Sequence, residues 1–522
     1  MERPIGSHRM RPVASADPHR AAQKLAEAES CRRTGKLDRA RSLCESLLQE
    51  YPDYVGALQT LGVTQLTQKN YRQALSCFIQ AAMHCSKDPV NLTNLATAYL
   101  RLGARELSAH TLEQARRLKP DNNADIDLIL AEVYREAREY ELAAECYRRV
   151  IFRMPSHAEA AHGLGDCCAH LGRFTEAATS LQCAHELKPE SVNILYAVSQ
   201  LPRSATGVEV LEALDRVRKA EAEDQADFDT LLLFTKAAAL DRLGRHSEAW
   251  TTLREANRRE FSKHEAAYAK QVARMDAARQ AALHQSADDE LPKAPRPQPL
   301  SLFIIGPSRS GKTTVEQLVK HLEGVKCGYE NRLVERATRR TSQLSGLLAM
   351  RNPVDLPKAL DEQLRTIYLE ELLEFADGAK IVTDTYPAMI PYVGRVATTI
   401  PNARFIFVKR DHYDCALRIF MKHYRAGNDY AYSIETIFHY ISWYYDMAEI
   451  WSAKFPDLTL SIQYDQTVAD PEATLSRLAE FCGVAIVEGE LPKLGDDRGC
   501  SQAYRELLDE ARQASRASML ST

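Results

Sequence analysis

The chain has 522 residues, of which 45% are hydrophobic and 26% are charged, so it can bury extensive cores and is not a disordered protein as a whole. Its 67 Lys and Arg residues nearly balance 71 Asp and Glu residues, and the net charge of −4 excludes a global attraction to nucleic acid or to an anionic membrane. The apolar runs are far shorter than the roughly 20 residues of a membrane-spanning helix. The 12 cysteines contain no Cys-x-x-Cys pair and mostly follow helical pattern, which predicts reduced thiols, no metal site and a cytoplasmic protein.

The N-terminal half repeats a helical pattern between about residues 21 and 260. Pro120, Pro155 and Pro189 close successive units at a spacing of about 34 residues, which is typical of helix–turn–helix repeats. Small residues recur in the second helix of each unit and glycines recur in the turns: Ala40, Ala74, Ala143, Ala177 and Ala249, with Gly35, Gly103, Gly172 and Gly244. This pattern resembles the tetratricopeptide repeat. The resemblance implies an all-α solenoid over residues 21–284 whose groove binds a protein partner or substrate, although the solenoid could also serve only as a support.

The composition changes between residues 285 and 299, where an acidic stretch is followed by Pro292, Pro295, Pro297 and Pro299. Such a stretch favours extended polyproline backbone. We therefore predict a linker at 285–299, a weakly ordered N-terminus at 1–20 and a second domain at 300–522.

The second domain opens with an apolar strand that leads into Gly306-Pro-Ser-Arg-Ser-Gly-Lys-Thr-Thr314 and then into an amphipathic helix. The spacing satisfies G-x-x-x-x-G-K-S/T, in which backbone N–H groups and a helix N-terminus surround a phosphate. Arg309 and Lys312 add positive charge. The expected anion ligands beside them are Ser310, Gly311, Thr313 and Thr314.

Four further candidate strands alternate with helical pattern and lie at residues 324–329, 380–384, 404–409 and 458–464. This alternation predicts an α/β domain with a parallel sheet that is covered on both faces. Its ligand site should lie at the carboxyl ends of the strands.

Three segments of this domain resemble the sulfotransferases. The loop at 306–314 is similar to their 5′-phosphosulfate loop, the strand and Arg-Asp-x-x-Asp motif at 403–417 resemble their 3′-phosphate motif, and residues 464–484 resemble a late strand–helix segment. Together with the repeats, the chain resembles the tetratricopeptide-repeat sulfotransferases, relatives of the protein-tyrosine sulfotransferases. The resemblance implies metal-independent transfer of a sulfuryl group from the nucleotide co-substrate PAPS (3′-phosphoadenosine 5′-phosphosulfate) to a hydroxyl acceptor, with PAP as the product. Tyrosine in a peptide or protein, a sugar, a lipid and a small metabolite are all open as acceptors.

Arg410 ends an apolar strand and presents a planar fork of donors that suits a phosphate. If residues 413–424 form the next helix, Arg418 and Lys422 lie four residues apart on one face and can join Arg410 around a 3′-phosphate. The alternative for that pair is a solvated helix face. Tyr464, at another strand end, is predicted to contact the adenine, with burial in the core as the alternative.

Glu330 is the predicted catalytic base. It stands in Cys327-Gly-Tyr-Glu-Asn331, where the family carries a Gly-Glu element whose glutamate abstracts the acceptor proton. Partial burial would raise its pKa toward the useful range. The same resemblance implies that Arg309 and Lys312 stabilise charge in the transition state.

The chain departs from the family at three positions. Thr385 stands where the family has a lysine, and the charge of Lys312 could replace it. Arg418 stands where the family has a serine. The family's final loop is not recognisable at 495–502.

Two other functions remain open. A P-loop kinase or NTPase would use the same loop with Mg-ATP, because Lys312-Thr313 complete a Walker-type loop and Asp384 could order Mg²⁺. A catalytically degenerate repeat scaffold is the second alternative, which Thr385 favours.

Overall fold

A computed structural model of the protein describes most of the chain. The described residues are 18–118, 124–136, 139–201, 210, 214, 225–286, 292, 298–328, 330–348, 350, 352–424, 427–492 and 494–519. They form two compact units, Met1–Leu201 and Pro202–Thr522. The predicted N-terminal segment at 1–20 and the predicted linker at 285–299 lie largely outside the described residues. Within the described ranges, no helix is long and apolar enough to cross a membrane.

The first unit is all-α, as the sequence predicts. Its helices are α1 (Pro18–Arg33), α2 (Leu37–Glu50), α3 (Val55–Thr67), α4 (Tyr71–His84), α5 (Pro89–Arg101), α6 (Arg105–Leu118), α7 (Ala124–Glu136), α8 (Tyr140–Arg153), α9 (Ala158–His170), α10 (Phe174–Leu187) and α11 (Val192–Gln200). Sequence neighbours pack on one another along this series. The recurring alanine of the second helices α2, α4, α8 and α10 is completely buried, at Ala40, Ala74, Ala143 and Ala177, because only a small side chain fits where two helices meet.

The second unit begins with a helical pair followed by an α/β fold. Its elements are α12 (Gln225–Arg242), α13 (His246–His284), β1 (Leu300–Ile305), α14 (Lys312–Val319), β2 (Val325–Lys326), α15 (Leu333–Leu344), α16 (Asp361–Ala376), β3 (Ile381–Asp384), α17 (Val393–Thr399), β4 (Ala403–Lys409), α18 (His412–Phe420), α19 (Ile434–Lys454), β5 (Thr459–Gln463), α20 (Tyr464–Ala469), α21 (Pro471–Cys482) and α22 (Arg505–Met519).

Helix α13 packs within this second unit, although its sequence continues the repeat pattern. Asn257 donates from Nδ2 to the carbonyl oxygen of Phe420 at 2.9 Å, and Trp443 donates from Nε1 to the carbonyl oxygen of Met275 at 3.0 Å. The range predicted for the solenoid, residues 21–284, therefore includes residues of both units.

The five strands form one parallel sheet in the order β2-β3-β1-β4-β5. Strand β1 is central and all six of its residues are buried, as expected for a strand covered on both faces. Because β3 and β4 flank β1, their carboxyl ends lie on either side of the loop that follows β1. This is the edge at which open α/β sheets bind ligands.

Candidate active site

The loop between β1 and α14 requires glycine at both ends. Gly311 has φ +99°, in the left-handed region, and caps α14. A Cβ on Gly306 would lie 2.3 Å from Oγ of Ser310 and 2.8 Å from the carbonyl oxygen of Val408. Arg309 also has positive φ, at +65°, so this turn holds a non-glycine residue in an unfavourable conformation.

Lys312 folds back over its own loop. Its Nζ donates to the carbonyl oxygens of Gly306 and Pro307, both at 3.0 Å. Burial lowers the pKa of Lys312 to about 8, and the positive charge of Arg309 contributes in the same direction. In the first turn of α14, Thr313 is exposed and Thr314 is half-buried.

Arg410 reaches from the end of β4 to this loop. Its side chain is buried, and Nη1 donates to the carbonyl oxygen of Arg309 at 3.1 Å. Its guanidinium group lies over the ring of Tyr464, 4.5 Å from the centroid. The same ring packs against Gly311, where a Cβ would lie 2.3 Å from Cδ2. The structure therefore brings Arg309, Gly311, Arg410 and Tyr464 together, with the Tyr464 ring buried.

Two tyrosines hold these elements in place through hydrogen bonds that the sequence does not predict. The hydroxyl of Tyr445 accepts from the backbone N–H of Arg410 at 2.9 Å and donates to its carbonyl oxygen at 3.0 Å. The hydroxyl of Tyr424 lies 2.8 Å from Oγ of Ser308 in the loop. The other aromatic side chains of this region are buried in the core: Tyr430, Tyr432, Phe438, Tyr440, Trp443 and Tyr444.

An acidic residue lies between the two predicted phosphate-binding arginines. Arg418 donates from Nε to Oδ2 of Asp497 at 2.6 Å, and its Nη2 contacts Oδ1. Arg410 donates from Nη2 to the carbonyl oxygen of Asp497 at 2.5 Å and lies 3.3 Å from Oδ2. Sequence reasoning misses Asp497, because the segment at 495–502 shows no recognisable motif.

Lys422 lies outside helix α18, the helix that carries Arg418. Helix α18 ends at Phe420, so the helix expected over residues 413–424 is shorter than predicted and the spacing argument for Arg418 and Lys422 does not apply. After the helix ends, Tyr424 contacts Ser308 in the loop that follows β1. Nζ of Lys422 lies 5.3 Å from the centroid of the Tyr424 ring.

The predicted base, Glu330, follows β2 in a loop tied to the end of β3. The backbone N–H of Gly328 donates to Oγ1 of Thr383 at 3.0 Å, and Nδ2 of Asn331 donates to the Thr383 carbonyl oxygen at 2.8 Å. Glu330 is half-buried. The observed β2 is shorter than predicted, because the chain turns toward Thr383 directly after Lys326.

Asp384 is a second carboxylate at this edge of the sheet. Its Oδ1 accepts from the backbone N–H of Tyr386 at 2.9 Å, whereas Oδ2 is buried and has no hydrogen-bond partner among the described residues. Burial raises the pKa of Asp384 to about 7, and the charge of Glu316 adds to the effect. Sequence reasoning had considered Asp384 only as a residue that could order Mg²⁺.

The lining of a cavity of about 100 Å³ includes Arg332 and Tyr386, which follow Glu330 and Asp384 by two positions in the chain. Its lining residues are Arg332, Val334, Glu335, Asn352, Pro353, Tyr386, Met389 and Tyr392. The guanidinium group of Arg332 lies 4.8 Å from the centroid of the Tyr386 ring. In the part of the chain that the structure describes, no group of three or more His, Cys, Asp or Glu side chains is arranged to hold a metal ion.

Comparison with known proteins identifies two families in the chain. The sulfotransferase family matches residues 299–488, and the tetratricopeptide repeat matches residues 93–151 and 128–191. Among curated proteins, an uncharacterized protein of Aquifex aeolicus is 24% identical over 196 residues, covering 36% of this chain and 26% of the relative. The anaphase-promoting complex subunit CDC16 of Saccharomyces cerevisiae is 24% identical over 234 residues, covering 43% of this chain and 27% of the relative. The chain thus spans about a quarter of the length of these relatives.

Among solved structures, the protein MamA is 22% identical, with a TM-score of 0.29 over 31% of this chain and 94% of that chain. YrrB, described as a TPR protein with an unusual peptide-binding site, is 19% identical, with a TM-score of 0.31 over 34% of this chain and 91% of that chain. The predicted combination of families is confirmed: the chain carries tetratricopeptide repeats followed by a sulfotransferase-family domain at residues 299–488.

Proposed function

We propose that the second unit transfers a sulfuryl group from PAPS to a hydroxyl acceptor. The observation that carries this proposal is the contact of Arg410 with the loop after β1, at 3.1 Å from Nη1 to the Arg309 carbonyl oxygen. A nucleotide with phosphate groups at both its 3′ and 5′ positions needs two cationic sites, one at each end. ATP carries all of its phosphates at one end and would leave Arg410 unexplained.

The polar atoms of this region fit such a ligand. Oγ of Ser310 and Nε of Arg410 are both buried, and neither has a hydrogen-bond partner in the described parts of the chain. Buried polar groups in folded proteins are nearly always hydrogen-bonded. The two atoms belong to the loop and to the end of β4, which are the two elements that would receive the 5′ and 3′ groups.

The chain's own residues have these proposed roles. The loop residues Ser310, Gly311, Thr313 and Thr314 hold the 5′ end, and Arg410 with Arg418 holds the 3′-phosphate. Lys422 adds positive charge beside Tyr424, and Tyr464 orients the nucleotide base through its position between Gly311 and Arg410. PAPS supplies an activated sulfuryl group on a phosphate leaving group. Arg309 and Lys312 stabilise the negative charge that develops on that phosphate, and Lys312 provides the cation that Thr385 does not.

Glu330 accepts the proton of the acceptor hydroxyl in this proposal, because Gly328 and Asn331 on either side of it are hydrogen-bonded to Thr383 of β3, the strand that pairs with β1. Asp384 is the competing base, since a pKa of about 7 suits proton transfer near neutral pH. We place the acceptor in the cavity lined by Arg332, Tyr386 and Tyr392, which follows Glu330 in the chain.

Two further proposals concern the whole chain. We infer that the repeats of the first unit bind a protein partner or substrate, because an array of such repeats presents an extended groove. We also infer a reducing compartment such as the cytoplasm, because all 12 cysteines are free thiols.

The test is a comparison of nucleotide binding by isothermal titration calorimetry. PAP, ADP and ATP are titrated with and without Mg²⁺ into the wild type and the Arg410→Ala variant, with Arg340→Ala, an exposed arginine of α15, as the control. We expect a metal-independent preference for PAP that falls by about tenfold or more in Arg410→Ala, or about 1.4 kcal/mol, and is unchanged in the control. Tight binding of Mg-ATP with the same affinity in the wild type and in Arg410→Ala would instead identify a kinase or NTPase.

A further inference from the structure

The two arginines of the proposed 3′-phosphate site already hold an anion from the chain itself. Arg418 binds both carboxylate oxygens of Asp497, and Arg410 lies 3.3 Å from Oδ2. A carboxylate in a fork of guanidinium donors is the same arrangement that these residues would offer a phosphate. The carboxylate of Asp497 therefore occupies the position that the 3′-phosphate would need.

Residues that follow Asp497 in the chain are held by hydrogen bonds to Asp414. Asp414, a buried residue of α18, accepts from the backbone N–H of Gly499 at 2.6 Å, from the backbone N–H of Ser501 at 2.8 Å and from the Ser501 hydroxyl at 2.6 Å. Burial opposes the charge of Asp414, but these hydrogen bonds hold its pKa below the ordinary value. Residues 499–501 are thus fixed independently of the contacts that Asp497 makes.

The side chain of Asp497 is less firmly enclosed than Arg410. It is 32% exposed, whereas the Arg410 side chain is 4% exposed. Gly495 on one side has open space around its Cα, and Gly499 on the other side has φ +67°. The carboxylate can leave the arginines by rotation of the Asp497 side chain, while Asp414 holds residues 499–501 and the Tyr464 hydroxyl donates to the carbonyl oxygen of Gly495 at 3.0 Å.

We propose that Asp497 is an intramolecular competitor of the donor's 3′-phosphate and must leave Arg410 and Arg418 before a 3′-phosphorylated nucleotide binds. This inference rests on the proposed function, because it takes these arginines as the 3′-phosphate site. A carboxylate and a phosphate dianion repel each other and cannot share the two cations. The apparent affinity for the nucleotide is reduced by the fraction of molecules in which Asp497 is bound.

The proposal also predicts that Asp497 affects the binding of nucleotides with a 3′-phosphate and not of those without one. A nucleotide without a 3′-phosphate has no group that binds to Arg410 and Arg418. Asp497 should therefore not compete with it. Adenosine 5′-monophosphate shares the adenosine and 5′-phosphate of PAP and lacks only the 3′ group. The change in the ratio of the two affinities when Asp497 is substituted therefore separates competition at the 3′ site from a general effect on nucleotide binding.

The experiment measures the dissociation constants of PAP and of adenosine 5′-monophosphate by calorimetry for the wild type, Asp497→Ala and Asp497→Asn. Asp496→Asn is the matched control, because Asp496 is adjacent and pairs with Arg498 at 2.7 Å instead. We expect Asp497→Ala to bind PAP about tenfold or more tightly than the wild type, with affinity for the monophosphate changed by less than about twofold. Asp496→Asn should leave both affinities at the wild-type value. Circular dichroism melts confirm that each variant is folded, and Asp497→Asn serves if the alanine variant is not.

The possible results separate the two proposals. If Asp497→Ala and Asp497→Asn bind PAP no better than the wild type while Arg410→Ala weakens binding, the competitor role is wrong and the donor site stands. Equal tightening for both nucleotides would also overturn the competitor role. If neither the wild type nor any Asp497 variant binds PAP, the proposed function itself fails.

Discussion

Arg410 and Arg309 are joined by a hydrogen bond from a guanidinium Nη1 to a main-chain carbonyl oxygen, although 101 residues separate them in the chain. The contact exists because β4 lies next to β1 in the parallel sheet, so both strands end at the same edge of the sheet. It joins the glycine-rich loop to the second cationic site.

Nucleotide binding should weaken as the pH rises, because of Lys312. Burial lowers its pKa to about 8, so the amine loses its charge as the pH rises through that value. A bound anion favours the charged amine, and the affinity for PAP should fall above the pKa by up to about tenfold per pH unit. Lys312→Met should bind PAP more weakly at neutral pH and lose this pH dependence, as measured by calorimetry. Lys320→Met, at an exposed position after α14, is the control, and a wild-type affinity that stays constant across this range would contradict the prediction.

Gly311 should tolerate alanine less well than another left-handed glycine. At Gly311 a Cβ would lie 2.3 Å from Tyr464, so the ring that contacts Arg410 must move. We expect Gly311→Ala to lower the free energy of unfolding by about 2–3 kcal/mol and to weaken PAP binding. The matched control is Gly378→Ala, with φ +84° and open space around it, which should cost only about 1 kcal/mol and leave PAP binding intact. Urea denaturation and calorimetry measure the two quantities, and equal effects at both glycines would argue against the contact.

The hydroxyl of Tyr445 should stabilise the position of Arg410. It serves both backbone polar groups of Arg410, and burial raises its pKa well above the ordinary value, so it remains a hydrogen-bond donor at neutral pH. Tyr445→Phe leaves those buried groups without this partner and should lower the free energy of unfolding by about 1–3 kcal/mol. PAP affinity should fall with it. Tyr440→Phe, a buried tyrosine on the same helix that stacks on Tyr430, should change PAP affinity little, and a similar loss there would rule out a specific role for Tyr445.

Glu330 and Asp384 can be separated as bases by matched amide substitutions. Glu330→Gln should keep PAP affinity and slow sulfuryl transfer to a panel of phenol, tyrosine-peptide and sugar acceptors by about 10²–10⁴-fold. Asp384→Asn should slow it much less. The raised pKa of Asp384 means that its carboxylate becomes charged at a pH of about 7. If Asp384 is the base, the wild-type transfer rate therefore rises as the pH increases through this value, and Asp384→Asn loses this rise. Transfer that survives in Glu330→Gln would dismiss Glu330, and Glu374→Gln, an exposed residue of α16, is the control.

Local patterns were enough to predict the fold class and the edge of the sheet that carries the candidate site. The helix–turn–helix period predicts the helices of the first unit, and the apolar strand before Gly306 predicts the central strand of the sheet. The position of Arg410 at this edge of the sheet could be predicted because a strand end in a parallel sheet has a fixed position relative to its neighbours, whereas its role in binding a phosphate stays a prediction.

Contacts between distant segments could not be predicted in this way. The assignment of Lys422 assumed that α18 continues, whereas the chain ends the helix at Phe420 to bring Tyr424 to the loop. Asp497 was missed because its partners lie 79 and 87 residues away, and nothing in Gly495-Asp-Asp-Arg indicates which cation it meets. The hydroxyls of Tyr424 and Tyr445 were missed for the same reason, since helical spacing reports burial and says nothing of hydrogen bonds.

Helix α13 sets the shortest segment of this protein in which we expect the sulfotransferase-family domain to fold. A polypeptide that starts at residue 299, where the family match begins, would lack the carbonyl oxygen of Met275 that binds Trp443 and the amide of Asn257 that binds Phe420. It would also expose the apolar side of α19 to water and would aggregate during expression. Recombinant production should therefore begin no later than residue 225, ahead of α12, even though 74 residues would then precede the family match.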